Sequence, residues 1–508
     1  MKSTTIINFV CILAPGTDAA LNLVKPRGPS PIEYGLTRSE TPRLRKRDTI
    51  GLAMGTQFVR CVFRNLVTLL TILTQEGFDY FVNFTIGTPP QNVAATFDTG
   101  SADLIVNSAT SKFCTSANPS PCLQAFNINS SSTAKQVGQG FLDTYETASY
   151  EGNWYTDTVS FAGKSVSNFV FGAADTLSNG TTNTLGVSFF TPANFRGGSA
   201  PPTNESSLGQ MVKAGLIPSA AYSIWMNRNS SLGGNVLLGG VDTSKFVGEL
   251  QSYPVSPTLG TDIYFGLLLN ITSASVGGKY PVNSSSNVTE FPAPATVDTG
   301  NPNLLLPSSL VTNIYSTFGI QSLQLGAGGA TFGICNCTLG NLSSTLDVYF
   351  ASLKISIPFS DLVVSPTAEL YAGYNIPAQY RLPVGVCLFL VSPTRAGFGN
   401  NLGDPFLRYV YYVVDLDSKQ IGLAPSNPNP GKSNIMEIAA GGGNLPSVSA
   451  SGSVATSTGG TPTSSGSPRG TGSGAPSTTT AKSSDANNLK AVSFGVVSGF
   501  LGLFCLLL

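Results

Sequence analysis

Hydrophobic residues along this chain occur in short runs separated by polar, glycine-rich or proline-rich stretches. Two of these runs share one twelve-residue frame, "ATFDTGSADLIV" at 95–106 and "ATVDTGNPNLLL" at 295–306. In both, apolar residues lead into Asp-Thr-Gly and a second apolar run follows. Runs of this length, rich in β-branched and aromatic residues, predict strands joined by turns. The repeated frame predicts two related β-rich lobes that each present one loop to a shared cleft.

The composition narrows the possible chemistry. The chain has 508 residues, more than one hydrophobic core usually serves. Only 11% of them are charged, against about 25% in average soluble domains. The chain contains no histidine, which excludes Ser-His-Asp and Cys-His triads and most zinc sites. Any catalysis must therefore use carboxylates, hydroxyls, amines or thiols.

The N-terminal part carries the features of a secretory precursor. Lys2 precedes an apolar run and small residues at 19–20, which predicts a signal peptide at 1–20; a disordered or buried start is the alternative. A basic stretch at 21–47 ends in a dibasic pair, which predicts a prosegment cleaved after Arg47; an ordinary basic loop is the alternative. No basic stripe follows, so no nucleic-acid partner is expected.

The expected lobes lie at 77–250 and 251–425. The segment 48–76 before them is uncertain, because its part 55–74, "GTQFVRCVFRNLVTLLTILT", is apolar and mildly basic and fits nothing around it. It is either an amphipathic segment that covers the domain or a retained intron in the gene model.

The C-terminal part is typical of a surface anchor. Residues 426–484 are rich in Ser, Thr and Gly, and we expect them to form a flexible stalk because they cannot bury enough apolar surface. Residues 485–508 end in an apolar tail, which predicts a glycosylphosphatidylinositol (GPI) attachment signal with Ser484 as the attachment residue. A tail-anchor helix is the alternative.

Glycosylation sequons and cysteines agree with secretion. Ten Asn-x-Ser/Thr sequons predict a glycosylated surface: Asn83, Asn129, Asn179, Asn204, Asn229, Asn270, Asn283, Asn287, Asn336 and Asn341. Cys114 and Cys122 are close in sequence and are expected to pair. Cys387 is expected to pair with Cys335 or Cys337, between which spacing alone does not decide. Besides the unpaired member of these two, Cys61 is left over.

The repeated frame suggests a specific chemistry for Asp98 and Asp298. Two carboxylates that meet across a cleft cannot both ionise, so they share one proton and titrate as a pair. The charged member can take a proton from water, and the protonated member can hydrogen-bond a substrate carbonyl. Glycines at 100 and 300 let the two loops approach closely, and Thr99 and Thr299 can hydrogen-bond across to the opposite loop. Such a site hydrolyses peptide bonds without histidine, metal or cofactor.

With these motifs the chain resembles the pepsin-like aspartic proteases, and most closely their fungal GPI-anchored, yapsin-like branch. The resemblance covers 80 to about 424. It rests on "YFVNFTIGTPPQNVAATFDTGSADLIV" at 80–106, "VLLGGVDTSKFVGELQSYPV" at 236–255 and "NLGDPFLRYVYYVVDLDSKQIGLA" at 401–424. It implies an all-β dominated, bilobal fold with the active-site cleft between the two lobes.

The resemblance also implies roles for individual residues. Gly186 and Gly403 would support the catalytic loops, and Cys337 would be the partner of Cys387. The hairpin flap over the cleft would carry Tyr145, with the tyrosines at 150 and 155 as packing residues.

Three positions depart from the family pattern. Ser101 follows the first Asp-Thr-Gly as expected and can donate to Asp98, but Asn301 follows the second, where the family has Thr or Ser. An amide there can still donate, although it is longer and Pro302 restricts the turn. Ile105 stands where the family commonly has a Trp that hydrogen-bonds the flap tyrosine. The flap-tip glycines are replaced at 146 and 148.

These observations predict the secreted precursor of a monomeric, cell-surface aspartic endopeptidase. We expect it to act on polypeptides at acidic pH and to be anchored to the plasma membrane or cell wall. The alternative hypothesis is a weak or inactive surface glycoprotein of the same fold that binds peptides or wall material. The two hypotheses differ in whether the Asn301 loop still supports activation of water.

Overall fold

The computed structural model describes residues 31–38, 80–116, 122, 124–145, 149–178, 182–191, 197–228, 233–258, 262–264, 266–277, 280–282, 290–324, 331–365, 382–394, 399–439, 445 and 450. The expected signal peptide, the cleavage point after Arg47, the segment 55–74 and the GPI signal with Ser484 lie outside these residues. No helix among the described residues is long and apolar enough to cross a bilayer.

Strands dominate the described structure, and the few helices are short. The strands are β1 (Ile32–Arg38), β2 (Tyr80–Ile86), β3 (Gln91–Asp98), β4 (Leu104–Asn107), β5 (Lys135–Thr144), β6 (Ser149–Phe161), β7 (Lys164–Ser178), β8 (Asn183–Gly186), β9 (Ala221–Met226), β10 (Gly234–Leu238), β11 (Gly240–Asp242), β12 (Gln251–Pro254), β13 (Leu268–Ile271), β14 (Ser273–Val276), β15 (Tyr280–Val282), β16 (Ala293–Val297), β17 (Leu304–Leu306), β18 (Gln321–Gln324), β19 (Thr331–Asn336), β20 (Thr345–Phe350), β21 (Leu353–Pro358), β22 (Val363–Val364), β23 (Val386–Phe389), β24 (Val391–Pro393), β25 (Asn400–Leu402), β26 (Val410–Asp415), β27 (Gln420–Pro425) and β28 (Ile435–Glu437). The α-helices are α1 (Ser207–Lys213), α2 (Ser308–Phe318), α3 (Phe359–Leu362) and α4 (Asp404–Leu407), and 3₁₀ turns lie at Ile128–Ser130 and Cys337–Asn341.

The largest sheet joins the two halves of the chain. Its thirteen strands run in the order β12-β27-β26-β9-β10-β1-β2-β3-β8-β4-β7-β6-β5. The strands β12, β27 and β26 from the C-terminal half join it through β26, which pairs antiparallel with β9 from the N-terminal half. The strand β1, which belongs to the expected prosegment, lies between β10 and β2 and pairs with both. The segment expected to be removed is thus part of the sheet that connects the lobes.

The two copies of the repeated frame fold in the same way. In the first, β3 pairs parallel with β8, and β8 pairs antiparallel with β4. In the second, β16 pairs parallel with β25, and β25 pairs antiparallel with β17. The prediction of a strand-dominated fold with two related lobes is therefore confirmed.

Burial patterns explain why these segments form strands. β26, "VYYVVD", is buried at every position, as expected for a strand that is covered on both faces of a sheet. β21, "LKISIP", alternates between buried and more exposed positions, the pattern of a strand with one covered face. One hydrophobic core runs through both lobes and includes Phe97 of β3 and Val297 of β16, the residues directly before the repeated aspartates.

The folded part of the chain continues past the expected start of the stalk at 426. β28 pairs antiparallel with β11, and Ile438 and Leu445 are buried in a cluster with Val241 and Phe246. The prediction of a stalk from 426 onward is therefore wrong for these residues. The segment contains few apolar side chains, but those at 438 and 445 pack on an apolar surface of the preceding fold. The composition of the segment does not reveal this surface.

The described residues form two disulfides, Cys114–Cys122 and Cys337–Cys387, while Cys335 is a buried free cysteine. Cys335 lies directly opposite Cys387 in the β19–β23 register. Both Cys335 and Cys337 are thus close to Cys387 in the fold, and Cys337 is the one that forms the disulfide. Six sequon asparagines are described. Asn129, Asn204, Asn270, Asn336 and Asn341 are exposed, whereas Asn83 is half-buried within β2. The other sequons, at 179, 229, 283 and 287, lie outside the described residues.

Candidate active site

The two Asp-Thr-Gly loops meet and are tied together by their threonines. Thr99 Oγ1 donates to the carbonyl oxygen of Val297 at 2.8 Å and accepts from the Thr299 amide at 3.2 Å. Thr299 makes the same two bonds in return, to the Phe97 carbonyl oxygen and from the Thr99 amide. Both threonines are buried. Because each loop bonds the other in the same way, the two aspartates are held in a fixed relation to each other.

The inner oxygens of the two aspartates lie between the glycines of the loops. Each Oδ1 accepts the amide hydrogen two residues later, Asp98 from Gly100 at 2.8 Å and Asp298 from Gly300 at 2.9 Å. A Cβ built on Gly100 would lie 3.1 Å from Oδ1 of Asp98 and 3.8 Å from Oδ1 of Asp298. At Gly300 the corresponding distances are 3.9 and 3.4 Å. The geometry therefore brings the two carboxylates together at the junction of the lobes.

The outer oxygens are held by two different kinds of donor. Ser101 Oγ donates to Oδ2 of Asp98 at 2.5 Å. Oδ2 of Asp298 accepts from Nδ2 of Asn401 at 2.8 Å, a residue of β25 that lies 103 positions away.

Asn301 has a different role from the one its position suggested. Its side-chain oxygen accepts the backbone amide of Asn303 at 2.9 Å, and its own carbonyl oxygen accepts the amide of Asp404 at 2.8 Å. Among the described contacts, its side chain makes no hydrogen bond to Asp298. The expectation that the side-chain amide of Asn301 can donate to the Asp298 carboxylate is therefore wrong, because the turn through Pro302 directs the side chain along its own loop.

Burial and mutual repulsion perturb the acidity of the pair. Burial raises the pKa of Asp98 from 3.8 to about 6, the charge of Asp298 adds to this increase, and the bonds from Ser101 and Gly100 oppose it. Burial also raises the pKa of Asp298, against the lowering effects of the Asn401 and Gly300 hydrogen bonds. Both shifts favour a state in which the pair retains a proton in mild acid.

The two supporting glycines lie where no side chain fits. A Cβ on Gly186 would lie 2.6 Å from the backbone nitrogens of Ala102 and Asp103, and one on Gly403 would lie 2.1 Å from the carbonyl oxygen of Asn301. The glycine amides also bond the neighbouring loops, Gly186 to the Asp103 carbonyl oxygen at 2.9 Å and Gly403 to the Asn303 carbonyl oxygen at 3.1 Å. Each glycine thus lets its strand lie directly beneath a catalytic loop.

The structure places Tyr145 against the first catalytic loop. Burial raises the pKa of its hydroxyl well above the ordinary value, and the charges of Asp143 and Asp98 add to the increase. Its ring contacts Tyr150 edge to face, with centroids 5.5 Å apart, and packs on a buried cluster that contains Ile105 and Trp154. The Trp154 indole nitrogen donates to Ser199, so Trp154 does not replace the donor that Ile105 lacks.

The other flap tyrosines have packing contacts. The Tyr150 hydroxyl donates to the carbonyl oxygen of Thr182 at 3.2 Å, and Tyr155 stacks on Phe171. The flap-tip residues 146–148 lie outside the described residues. In the part of the chain that the structure describes, no three acidic or thiol side chains gather into a cluster that could hold a metal ion.

The sequence patterns did not single out Asn401, whose side chain donates to Asp298. It stands two residues before Gly403, in a position that looked like an ordinary part of a buried strand. A polar side chain directly before the Leu-Gly pair was the only hint of this role in the sequence. The hint is ambiguous, because Thr184 occupies the same place before Leu185-Gly186. Only the contact with Asp298 distinguishes the two positions.

Comparison with known proteins agrees with this geometry. The family model described as Eukaryotic aspartyl protease matches residues 79–426. A probable aspartic-type endopeptidase OPSB of Trichophyton verrucosum is 31% identical over 439 residues, which cover 84% of this chain and 82% of that protein. Barrierpepsin of Saccharomyces cerevisiae is 29% identical (70% of this chain, 61% of that protein), and aspartic proteinase yapsin-3 of the same yeast is 27% identical (72% and 70%). Since the family model spans most of the chain and both aspartate loops, this protein belongs to the pepsin-like eukaryotic aspartyl proteases.

Proposed function

We propose that this protein is an active, secreted and surface-anchored aspartic endopeptidase that cleaves polypeptides at acidic pH. The similarity to yapsin-3 and to the probable endopeptidases supports the reaction class. The predicted signal peptide, the Ser/Thr-rich stretch and the predicted GPI signal support a yapsin-like protein on the plasma membrane or cell wall. The predicted prosegment supports synthesis as a zymogen, and we propose a monomer that needs no cofactor.

The observation that carries the proposal is the pair Asp98 and Asp298 at the junction of the two loops. Their shared environment raises both pKa values, so one proton stays on the pair in mild acid. The ionised carboxylate takes a proton from a water molecule, whose oxygen then attacks the carbonyl carbon of the peptide bond. The protonated carboxyl donates to the carbonyl oxygen as this oxygen becomes negatively charged.

Collapse of the resulting tetrahedral intermediate completes the reaction. The C–N bond breaks, the departing nitrogen receives a proton from the pair, and a carboxylic acid and an amine are released. The bonds from Thr99 and Thr299 hold the two carboxylates in place, so no reorganisation is needed during the step.

Peptide hydrolysis by the full-length protein tests the proposal. A mixed peptide library is incubated with protein solubilised from expressing cells between pH 3 and 7, with and without pepstatin. Asp98→Asn is compared with Asp417→Asn, which lies in the exposed turn between β26 and β27. We expect cleavage that peaks in acid, is blocked by pepstatin and is lost in Asp98→Asn but unchanged in Asp417→Asn.

Absence of cleavage from folded protein freed of its prosegment would contradict the proposal. Pepstatin binding without cleavage would then indicate a binding protein on the protease fold.

A further inference from the structure

The two catalytic aspartates receive their outer hydrogen bonds from structurally different places. Ser101 donates to Asp98 from within the catalytic loop, three residues after the aspartate. Asn401 donates to Asp298 from the neighbouring strand β25. Two lobes that are otherwise related by the same strand pairing thus complete the same contact in different ways.

The strand registers identify the equivalent position in the first lobe. Thr184 of β8 lies opposite Thr96 and Ile105, and Asn401 of β25 lies opposite Thr296 and Leu305. Thr184 therefore occupies the place of Asn401, but it makes no hydrogen bond to Asp98, whose outer oxygen is bonded by Ser101. The asparagine side chain at 401 is long enough to reach the carboxylate of Asp298, whereas the shorter Thr184 side chain does not reach that of Asp98.

The second loop explains why the donor lies elsewhere. The side chain of Asn301 accepts the Asn303 amide, and its carbonyl oxygen accepts the Asp404 amide. Pro302 contributes no N–H to this loop. With its side chain used to close the Asn-Pro-Asn turn, Asn301 leaves the outer oxygen of Asp298 to another donor.

The chemistry of Asn401 suits this contact. A carboxylate only accepts hydrogen bonds, so the amide must present its NH₂ group, and that contact favours the ionised form of Asp298. The other end of the side chain, Oδ1, is buried and accepts no hydrogen bond from a described residue. An unsatisfied buried oxygen costs stability, which makes Asn401 hard to explain by packing alone.

We propose that Asn401 is a positioning residue of this active site, which holds the outer oxygen of Asp298 as Ser101 holds that of Asp98 and so compensates for the altered loop at Asn301. The inference rests on the proposed peptidase function for its kinetic consequences, but the contact itself is independent of turnover.

Kinetics of Asn401→Leu test the role. This variant keeps the approximate volume and removes the donor. We expect kcat to fall about 10- to 100-fold, because a supporting electrostatic contact is lost, while KM changes less than about threefold, since the residue does not hold substrate. Removing a donor to the carboxylate favours its protonated form, so both limbs of the pH profile should move to higher pH. Thr184→Val, at the equivalent position of the first lobe, is the matched control and should keep wild-type kinetics.

A rescue variant separates positioning from packing. Asn301→Thr combined with Asn401→Leu returns a hydroxyl to the loop position that Ser101 occupies in the first lobe. We expect this double variant to recover at least about tenfold of the lost kcat. Wild-type kcat and an unmoved pH profile in Asn401→Leu would overturn the inference while leaving the proposed function intact.

Thermal unfolding tests the contact even if the wild-type protein cleaves nothing. The hydrogen bond from Asn401 favours the ionised form of Asp298, so its contribution to stability weakens as the pH falls and the carboxyl becomes protonated. Asn401→Leu should therefore lower Tm more at pH 7 than at pH 3. In an Asp298→Asn background this difference between the two pH values should vanish. An equal change in Tm at both pH values, with or without Asp298, would show that Asn401 only packs and would overturn the inference.

Discussion

At the scale of single residues, the site depends on which groups stabilise a charge on each aspartate. Asp98 is buried, and its pKa near 6 reflects burial and the neighbouring Asp298 more strongly than the two hydrogen bonds that oppose the shift. The short hydrogen bond from Ser101 therefore influences the pH range in which the pair keeps its single proton.

Ser101→Ala should move that range. Loss of the hydroxyl removes a donor to ionised Asp98, so the pKa of Asp98 rises further above about 6. We expect the alkaline limb of kcat/KM to shift to higher pH and kcat to fall about 10- to 100-fold, measured on a single peptide substrate. Ser101→Thr retains the hydroxyl and should keep the wild-type profile. An unchanged alkaline limb in Ser101→Ala would show that this bond does not tune the pair.

At the scale of elements, each catalytic loop joins two strands that both pair with a third strand between them, β8 in the first lobe and β25 in the second. A glycine lies at the end of this middle strand, directly beneath the loop. Gly403 follows β25 and is the N-cap residue directly before α4, and a side chain there would collide with carbonyl oxygens of Asn301 and Asn303 at 2.1 and 2.4 Å. These contacts are to backbone, which cannot move without displacing the aspartate loop.

Gly403→Ala should therefore impair both folding and activity. Forcing a methyl group against backbone costs about 1–3 kcal/mol or more, and the displaced loop would misplace Asp298. We expect a lower Tm by differential scanning fluorimetry and a loss of peptide hydrolysis. Gly399→Ala, four residues earlier, is the matched control because its added Cβ would meet no atom within 4 Å. Equal stability of the two variants would contradict the assigned role of Gly403.

At the scale of the whole molecule, the fold extends at both ends beyond the two expected lobes. β1 lies between β10 and β2 in the sheet that joins the lobes. At the other end, β28 pairs with β11, and Ile438 and Leu445 cover a buried cluster. The described C-terminal residues up to Ala450 therefore belong to the folded unit.

Truncation should reveal where the folded unit ends. A chain that stops at Ser426 loses Ile438 and Leu445, each of which contributes about 1.5–3 kcal/mol when fully buried. We expect its Tm to lie at least about 5 °C below that of a chain that stops at Val454. The chain that stops at Val454 should match one that stops at Ser484. Equal Tm values for all three would place the start of the stalk at 426 after all.

Features of this protein that depend on local pattern can be read from the amino-acid sequence alone. The repeated frame predicted two related lobes and the pair Asp98 and Asp298, because a twelve-residue repeat 200 positions apart carries both the strand signal and the chemistry. The closeness of Cys114 and Cys122 in sequence predicted their disulfide, and the family resemblance implied Cys337–Cys387. Both disulfides are present in the structure.

Contacts between residues of ordinary type that are far apart in sequence become visible in the three-dimensional fold and not before. Asn401 and Thr184 share one strand position before a Leu-Gly pair, and neither differs from an ordinary strand residue until the distance to the aspartate is known. Asn301, three residues after Asp298, stands where a donor to this aspartate is expected, but the turn through Pro302 directs its side chain to Asn303. The physical reason is that a hydrogen bond depends on distance and direction in space, whereas proximity in sequence constrains only the residues of one turn.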